Sequence, residues 1–161
     1  MPAIFPQSSG AAANRALQIA GLYVAIGRGD PAWDAVAVDP PSDATELVDE
    51  VGRRVATCIF VTEQVGGEFL VHGKEYTPAE FGISNKLYIV ADFDNADAVG
   101  DDIREAGVFV DTVKVGGLPG GQTYFEPADL ASPGYLLLLD RFTAIARTID
   151  FRFQMRFVIS L

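Results

Sequence analysis

The last fourteen residues constrain the fold more than any other stretch. In "TIDFRFQMRFVISL", Ile149, Phe151, Phe153, Met155, Phe157, Ile159 and Leu161 take every odd position. Asp150, Arg152, Gln154, Arg156 and Ser160 take even ones, and among the even positions Val158 alone is apolar. Successive side chains of a strand point to opposite faces, so this period of two predicts one long strand with a greasy and a polar face. The greasy face needs a second layer to bury it. A long strand that reaches the chain end also has backbone to offer another chain. The preceding "YLLLLDRFTAIAR" is expected to supply its antiparallel partner.

The rest of the chain reads as a mixture. Pro2, Pro6 and Ser8-Ser9-Gly10 predict an extended N-terminal arm over residues 1–10. Residues 11–20 suit either a short helix, by their alanines, or the first half of a strand. Leu22–Ile26 is a strand closed by "GRGD". Asp43 with Glu46 resembles a capping box, and Ala44, Leu47, Val48 and Val51 then share one helical face, with Gly52 to end it. "RRVATCIFVTE" follows as a buried strand, "GEFLVHGKEYT" as a strand or hairpin arm, and "NKLYIVADF" as another strand. "DNADAVGDDIREAG" predicts a second helix with Val99, Ile103 and Ala106 on one face, Asp97, Asp101 and Asp102 near its positive end and Gly107 as its stop. "VFVDTVKV" alternates as a strand, and "GGLPGG" is a loop. The expected fold class is α+β: a mainly antiparallel β-sheet domain, residues 11–161, with two short helices and the extended arm.

Charge and rare residues narrow the function. The chain of 161 residues carries a net −10, yet residues 132–161 hold four arginines against two acids, so the remainder carries −12. An acidic surface repels phosphate, which argues against nucleic acid and anionic membranes as partners. One cysteine, Cys58, allows no internal disulfide and reads as a small buried hydrophobe. No run approaches a membrane span, and "MPAIFPQSSG" is not a secretory signal, so a soluble protein of a reducing compartment is expected. His72 is the single histidine, which leaves no triad or multi-histidine metal site. Asp92, Asp94 and Asp97 miss the calcium-loop spacing, and "GGLPGG" lacks the lysine and helix of a phosphate loop. No catalytic residue, cofactor or metal is expected. Arg28-Gly29-Asp30 reads as a turn rather than an adhesion tag.

The opening strand carries a further signal. Tyr23-Val24-Ala25-Ile26-Gly27-Arg28, then Pro31, Trp33 and Asp34, then Pro40-Pro41, resembles a pattern in structural proteins of contractile-tailed bacteriophages, of the baseplate-wedge type. The segment has "AVAVD" where the pattern carries acids and asparagines. Arg104, Glu105, Gly107 and Phe109 in "IREAGVF" are similar to a second element of those proteins, in which a helix turns at glycine into a strand. "SPGYLLLLDRFTAIART" and the phenylalanine-rich last strand look like their closing half. The resemblance implies a non-enzymatic virion component in multiple copies around a symmetric tail, made in the host cytoplasm, with other tail or baseplate proteins as partners. A tail-fibre adaptor or a neck or collar protein fits the same segments. Tyr23, Arg28, Trp33, Pro40, Pro41, Arg104, Gly107, Phe109, Arg152 and Arg156 are the candidate structural and contact residues, with Trp33 packing the end of the segment and Arg28 paired to Asp30, Asp34 or a neighbouring subunit. From other classes, a soluble hydrolase would have to work through His72, and a carbohydrate-binding module would need a row of exposed aromatics.

Overall fold

The computed structural model describes residues 7–161, in which two five-stranded antiparallel sheets share one apolar core. The first sheet has the order β11-β7-β1-β2-β9, where β1 is Leu22–Gly27, β2 Glu50–Val55, β7 Asp102–Val110, β9 Tyr124–Phe125 and β11 Tyr135–Ala146. The second has the order β12-β6-β3-β5-β4, where β3 is Thr57–Glu63, β4 Phe69–Val71, β5 Lys74–Pro78, β6 Lys86–Phe93 and β12 Phe153–Ser160. A small ribbon joins β8 (Val113–Lys114) to β10 (Leu130–Ser132), and one helix, α1 (Gln7–Ala20), contacts β6.

Alternation explains the core. Leu22, Val24 and Ile26 of β1 and Leu87, Ile89, Ala91 and Phe93 of β6 point inward at every second residue and meet Phe60, Val108 and Phe157. Burying each large apolar side chain here contributes about 1.5–3 kcal/mol. The terminal pattern forms a strand over only part of its length: Ile149 and Phe151 stay exposed ahead of it, and β12 pairs with β6 from Phe153↔Phe93 to Ser160↔Lys86 without a register shift. Phe153 stacks on Phe93 with ring centroids 4.8 Å apart. The apolar exception, Val158, has its own reason. It packs on the far side of the sheet against a second cluster of Val61, Val71, Tyr76 and Tyr88, on which the β4–β5 hairpin closes with Phe69 stacked on Tyr88.

Several sequence expectations give way. Of the expected arm, residues 1–6 lie outside the described residues, and residues 7–10 belong to α1, which also settles 11–20 as helix. Gly10 packs against the carbonyl of Leu161 and the Asn85 side chain, where any Cβ would collide. The helix expected at 43–52 is instead irregular chain, with a turn at 42–43 and bends at 46 and 48–49, running into β2, and Leu47 is buried against the sheet while Val48 is left 62% exposed. The second expected helix is a series of turns at 95–100, with Ala98 and Gly100 at positive φ, followed by β7. Its helix-like spacing has a structural cause. Ile103 and Ala106, three apart on β7, both face the core, which gives this strand the i, i+3 spacing of a helical face.

The run "RRVATCIFVTE" divides at Ala56, whose N–H donates to the Leu22 carbonyl as the chain passes from one sheet to the other. "YLLLLDRFTAIAR" does not pair with the terminal strand but forms β11 and pairs with β7. The corner that sends the chain across is built on Arg147. This side chain is 2% exposed, donates to the carbonyls of Asp94, Asp97 and Phe151, and stacks on Phe153 at 4.3 Å. No helix among the described residues is long and apolar enough to cross a membrane.

Candidate functional site: a strap clamped across the first sheet

Two stretches distant in sequence become neighbours when β1 pairs with β7, with Tyr23 opposite Phe109, Ala25 opposite Gly107 and Gly27 opposite Glu105. The chain between β1 and β2, residues 28–49, then returns across the outer face of this sheet as a strap. Its hydrogen bonds and packing account for most of the residues that the sequence singles out.

Arg104 is the main clamp. It is 7% exposed, and its Nε and Nη2 hold the Asp34 carboxylate at 2.8–3.1 Å while Nη1 donates to the Arg28 carbonyl at 3.4 Å. Asp34 Oδ1 also accepts the Ala144 N–H of β11 at 3.0 Å, which caps part of that edge strand. Arg28 does not pair with Asp30 or Asp34. Its Nε meets Asp101 at 2.7 Å and its Nη1 meets Asp49 at 3.1 Å, because Arg104 already occupies Asp34 and Asp30 accepts the Ala32 N–H to cap the turn Pro31–Asp34. Each member of the RGD tripeptide thus has an internal task. Gly29 has φ 58° and lies against the Trp33 ring, where a side chain would collide.

The far part of the strap is held by packing. The Arg141 guanidinium lies 4.1 Å from the Trp33 ring centre and donates to the Asp39 carbonyl. Leu47 is buried over Gly107, where an added Cβ would stand 2.9 Å from the leucine tip and 2.8 Å from Leu136. Beside it the buried Glu105 accepts the Asp49 N–H at 3.1 Å, and burial pushes its carboxyl pKa up. Phe109 lies under the guanidinium of the fully buried Arg53, 4.1 Å away, and Tyr23 meets Phe125 edge-on. Pro40 and Pro41 continue the strap, and Pro41 accepts the Ala44 N–H. Val36 and Val38 on its outward side are 69% and 42% exposed.

Tyr23, Arg28, Trp33, Arg104, Gly107 and Phe109 are therefore gathered on one face. Arg152 and Arg156 are not: they sit by the second sheet, Arg152 paired to Asp94 at 3.3 Å and Arg156 bonded to Gln154. Sequence reading missed the roles of Arg53, Arg141 and Arg147, marked Glu105 only through the resemblance and set Leu47 on a helix. A charged pair at the head of the apolar run "RRVATCIFV" was the one available signal, since a buried arginine needs partners that only the fold supplies.

The clamp has a pH signature. Hydrogen bonding to Arg104, then to the Ala144 N–H, holds the Asp34 carboxyl below its ordinary range. A depressed carboxyl contributes stability above its unfolded pKa of about 3.9 and loses it as pH falls through the folded value. Glu105, raised by burial, acts in the opposite sense: its contribution is present below about pH 4.3 and is lost as pH rises. Melting temperatures should fall more steeply on acidification below about pH 4 in the wild type than in Asp34→Asn. Equal slopes would remove Asp34 from the clamp.

The remaining candidate groups have structural settings. His72 and Gly73, at φ 48° and 78°, form the two-residue turn between β4 and β5. Cys58 is half-buried and its thiol pKa is pushed up to about 11 by burial, the opposite of a reactive thiolate. Asp94 and Asp97 are not at a helix N-terminus but pair with Arg54 at 2.6 Å each. Among the described residues, no group of three or more His, Cys, Asp or Glu is placed to hold a metal. Together these contacts fix a long connection to the first sheet.

A family model described as "Baseplate wedge 3 tail fiber network component" matches residues 3–161. The chain belongs to that family. No curated protein matches it. As a baseplate wedge component it is a structural protein of the phage tail, and the match spans both the strap and its anchors on β7 and β11.

Proposed function

We propose that this wedge component is a non-enzymatic scaffold of a contractile tail, holding its neighbours in fixed geometry through strand and arm contacts. It would be present in several copies around the tail axis and made in the host cytoplasm before assembly. Residues 11–161 would act as one structural unit. The observation that carries the reading is the strap: Arg28, Arg104 and Arg141 immobilise a long connection that bears Val36 and Val38 outward. Ordering such a segment costs conformational entropy, about 1–2 kcal/mol per residue, which a connection of no consequence would not need to offset. A hydrolase working through His72 finds no support in a histidine that occupies a tight turn.

The test is assembly. Purified protein mixed with the other baseplate proteins of the same phage should enter a defined larger complex. Val36→Asp/Val38→Asp, on the exposed side of the strap, should weaken that entry by about tenfold or more while leaving the melting temperature nearly unchanged. A double variant that assembles as well as the wild type would overturn the strap as a contact surface.

A further inference from the structure

The two sheets each end in a long strand, and the two edges are treated differently. β11 is irregular, with register shifts at Leu136/Leu138 and Arg141/Ile145, and its Ala144 N–H is capped by Asp34. Such bulges and caps are how edge strands avoid pairing with other chains. β12 has no such protection. It runs Phe153–Ser160 without a bulge, proline, glycine or lysine, and among the described residues it pairs only with β6.

The open side of β12 can be assigned to particular residues. The Leu161 N–H donates to the Asn85 carbonyl at 3.0 Å, in register with the β6–β12 ladder. Backbone groups alternate direction along an antiparallel strand, so the odd residues bond to β6. The N–H and C=O groups of Gln154, Arg156, Val158 and Ser160 therefore face away from the sheet.

We propose that this edge pairs antiparallel with the β12 of a second copy of the chain, about a two-fold axis near Phe157. The sequence is self-complementary in that register. Met155 falls opposite Ile159, Phe157 opposite itself, Arg156 opposite Val158 and Gln154 opposite Ser160, so apolar meets apolar at the odd positions and no like charges stand directly across. The outward-facing pairs of Arg156 with Val158 are also the ones whose backbone groups are open to exchange hydrogen bonds. Charge favours the same surface. Two copies carrying −10 each repel through most of their area, whereas β12 itself carries Arg156 and no acid, so the paired strands add no acid-to-acid contact of their own. The pairing fuses two five-stranded sheets into one of ten strands with an isologous interface. It deepens the scaffold reading, and rests on it, by naming one neighbour.

The experiment is a concentration series of the purified full chain by light scattering, combined with amide hydrogen exchange. The expected result is a species of twice 17.2 kDa that strengthens with added salt, since screening relieves repulsion between acidic bodies. The Arg156 and Val158 amides should gain protection as the dimer forms. Val158→Pro removes one outward N–H and no bond to β6, so it should weaken the dimer by about tenfold or more with the β6 amides still protected. A chain that stays monomeric at every concentration overturns the proposal. So does a dimer that Val158→Pro does not weaken, or one formed while the Arg156 and Val158 amides still exchange freely. A monomer that nevertheless enters the baseplate complex would refute the pairing and leave the scaffold reading standing.

Discussion

Arg53→Ala is expected to cost about 3–5 kcal/mol, a large share of the total stability of a domain of this size. Arg53 is fully buried and its donors are engaged on several sides. Nε and Nη2 each lie 2.7 Å from a different oxygen of Glu50, and Nη1 lies 2.8 Å from Thr112 Oγ1 and 2.6 Å from the Pro133 carbonyl. The guanidinium also covers the Phe109 ring. Truncation leaves Glu50 without its cation, strips the Pro133 carbonyl of one of its two donors and opens a cavity between β2 and the 111–134 segment. Arg53→Lys keeps the charge but loses the two-pronged geometry, so it should fall between alanine and wild type. Urea titration at neutral pH measures both. A loss below about 1 kcal/mol for Arg53→Ala would mean that the network is not holding the outer layer of this sheet.

The second large effect is on the strap. Gly107→Val places a branched side chain where the tips of Leu47 and Leu136 now lie within 3 Å of an added Cβ. The backbone there is an ordinary strand, so the objection is space, not conformation. Overpacking of this kind costs about 1–3 kcal/mol, and here the side chain free to yield is Leu47. Residues 36–46 should then become sensitive to protease while β6 and β12 remain protected. Leu47→Ala alone should cost about 2–5 kcal/mol. The pair Gly107→Val/Leu47→Ala should cost less than the sum, because one change fills what the other vacates. Strict additivity would mean that the two residues do not share a site.

How much of this was legible depended on whether the information was local. The terminal strand was readable because its partners are generic: any apolar layer satisfies alternating Phe153, Met155, Phe157 and Ile159. Leu22–Ile26 and "NKLYIVADF" were readable on the same ground. The two helices misread at 43–52 and 94–107 have genuine helical spacing, but their apolar residues answer to distant contacts. Leu47 packs on Gly107, and Ile103 and Ala106 both join the core between the sheets. Period alone cannot separate a bulged strand from a helix turn over so short a span. The pairing of β11 was missed because both of its faces are apolar, and the deciding feature is the Arg147 corner that follows it.

The candidate site was legible as a set of residues and not as an arrangement. The segments around Arg28 and Trp33 and around Arg104 and Gly107 stood out through the resemblance, and the fold places both on one face. Which acid each arginine takes was not readable. Asp34 lies six residues from Arg28, yet it is held by Arg104 from another strand. Proximity in sequence favours the wrong partner wherever a strap crosses a sheet.

A strap that belongs to the fixed fold must be protected from solvent exchange. Amide hydrogen exchange on the isolated protein tests that most directly. The Arg28, Asp49 and Ala144 amides, bonded to the Asp49 carbonyl, Glu105 and Asp34, should exchange as slowly as those of β1 and far more slowly than those of the 116–121 loop. If these three exchanged as fast as that loop, the strap would be a mobile connection and the clamped-scaffold account would be wrong.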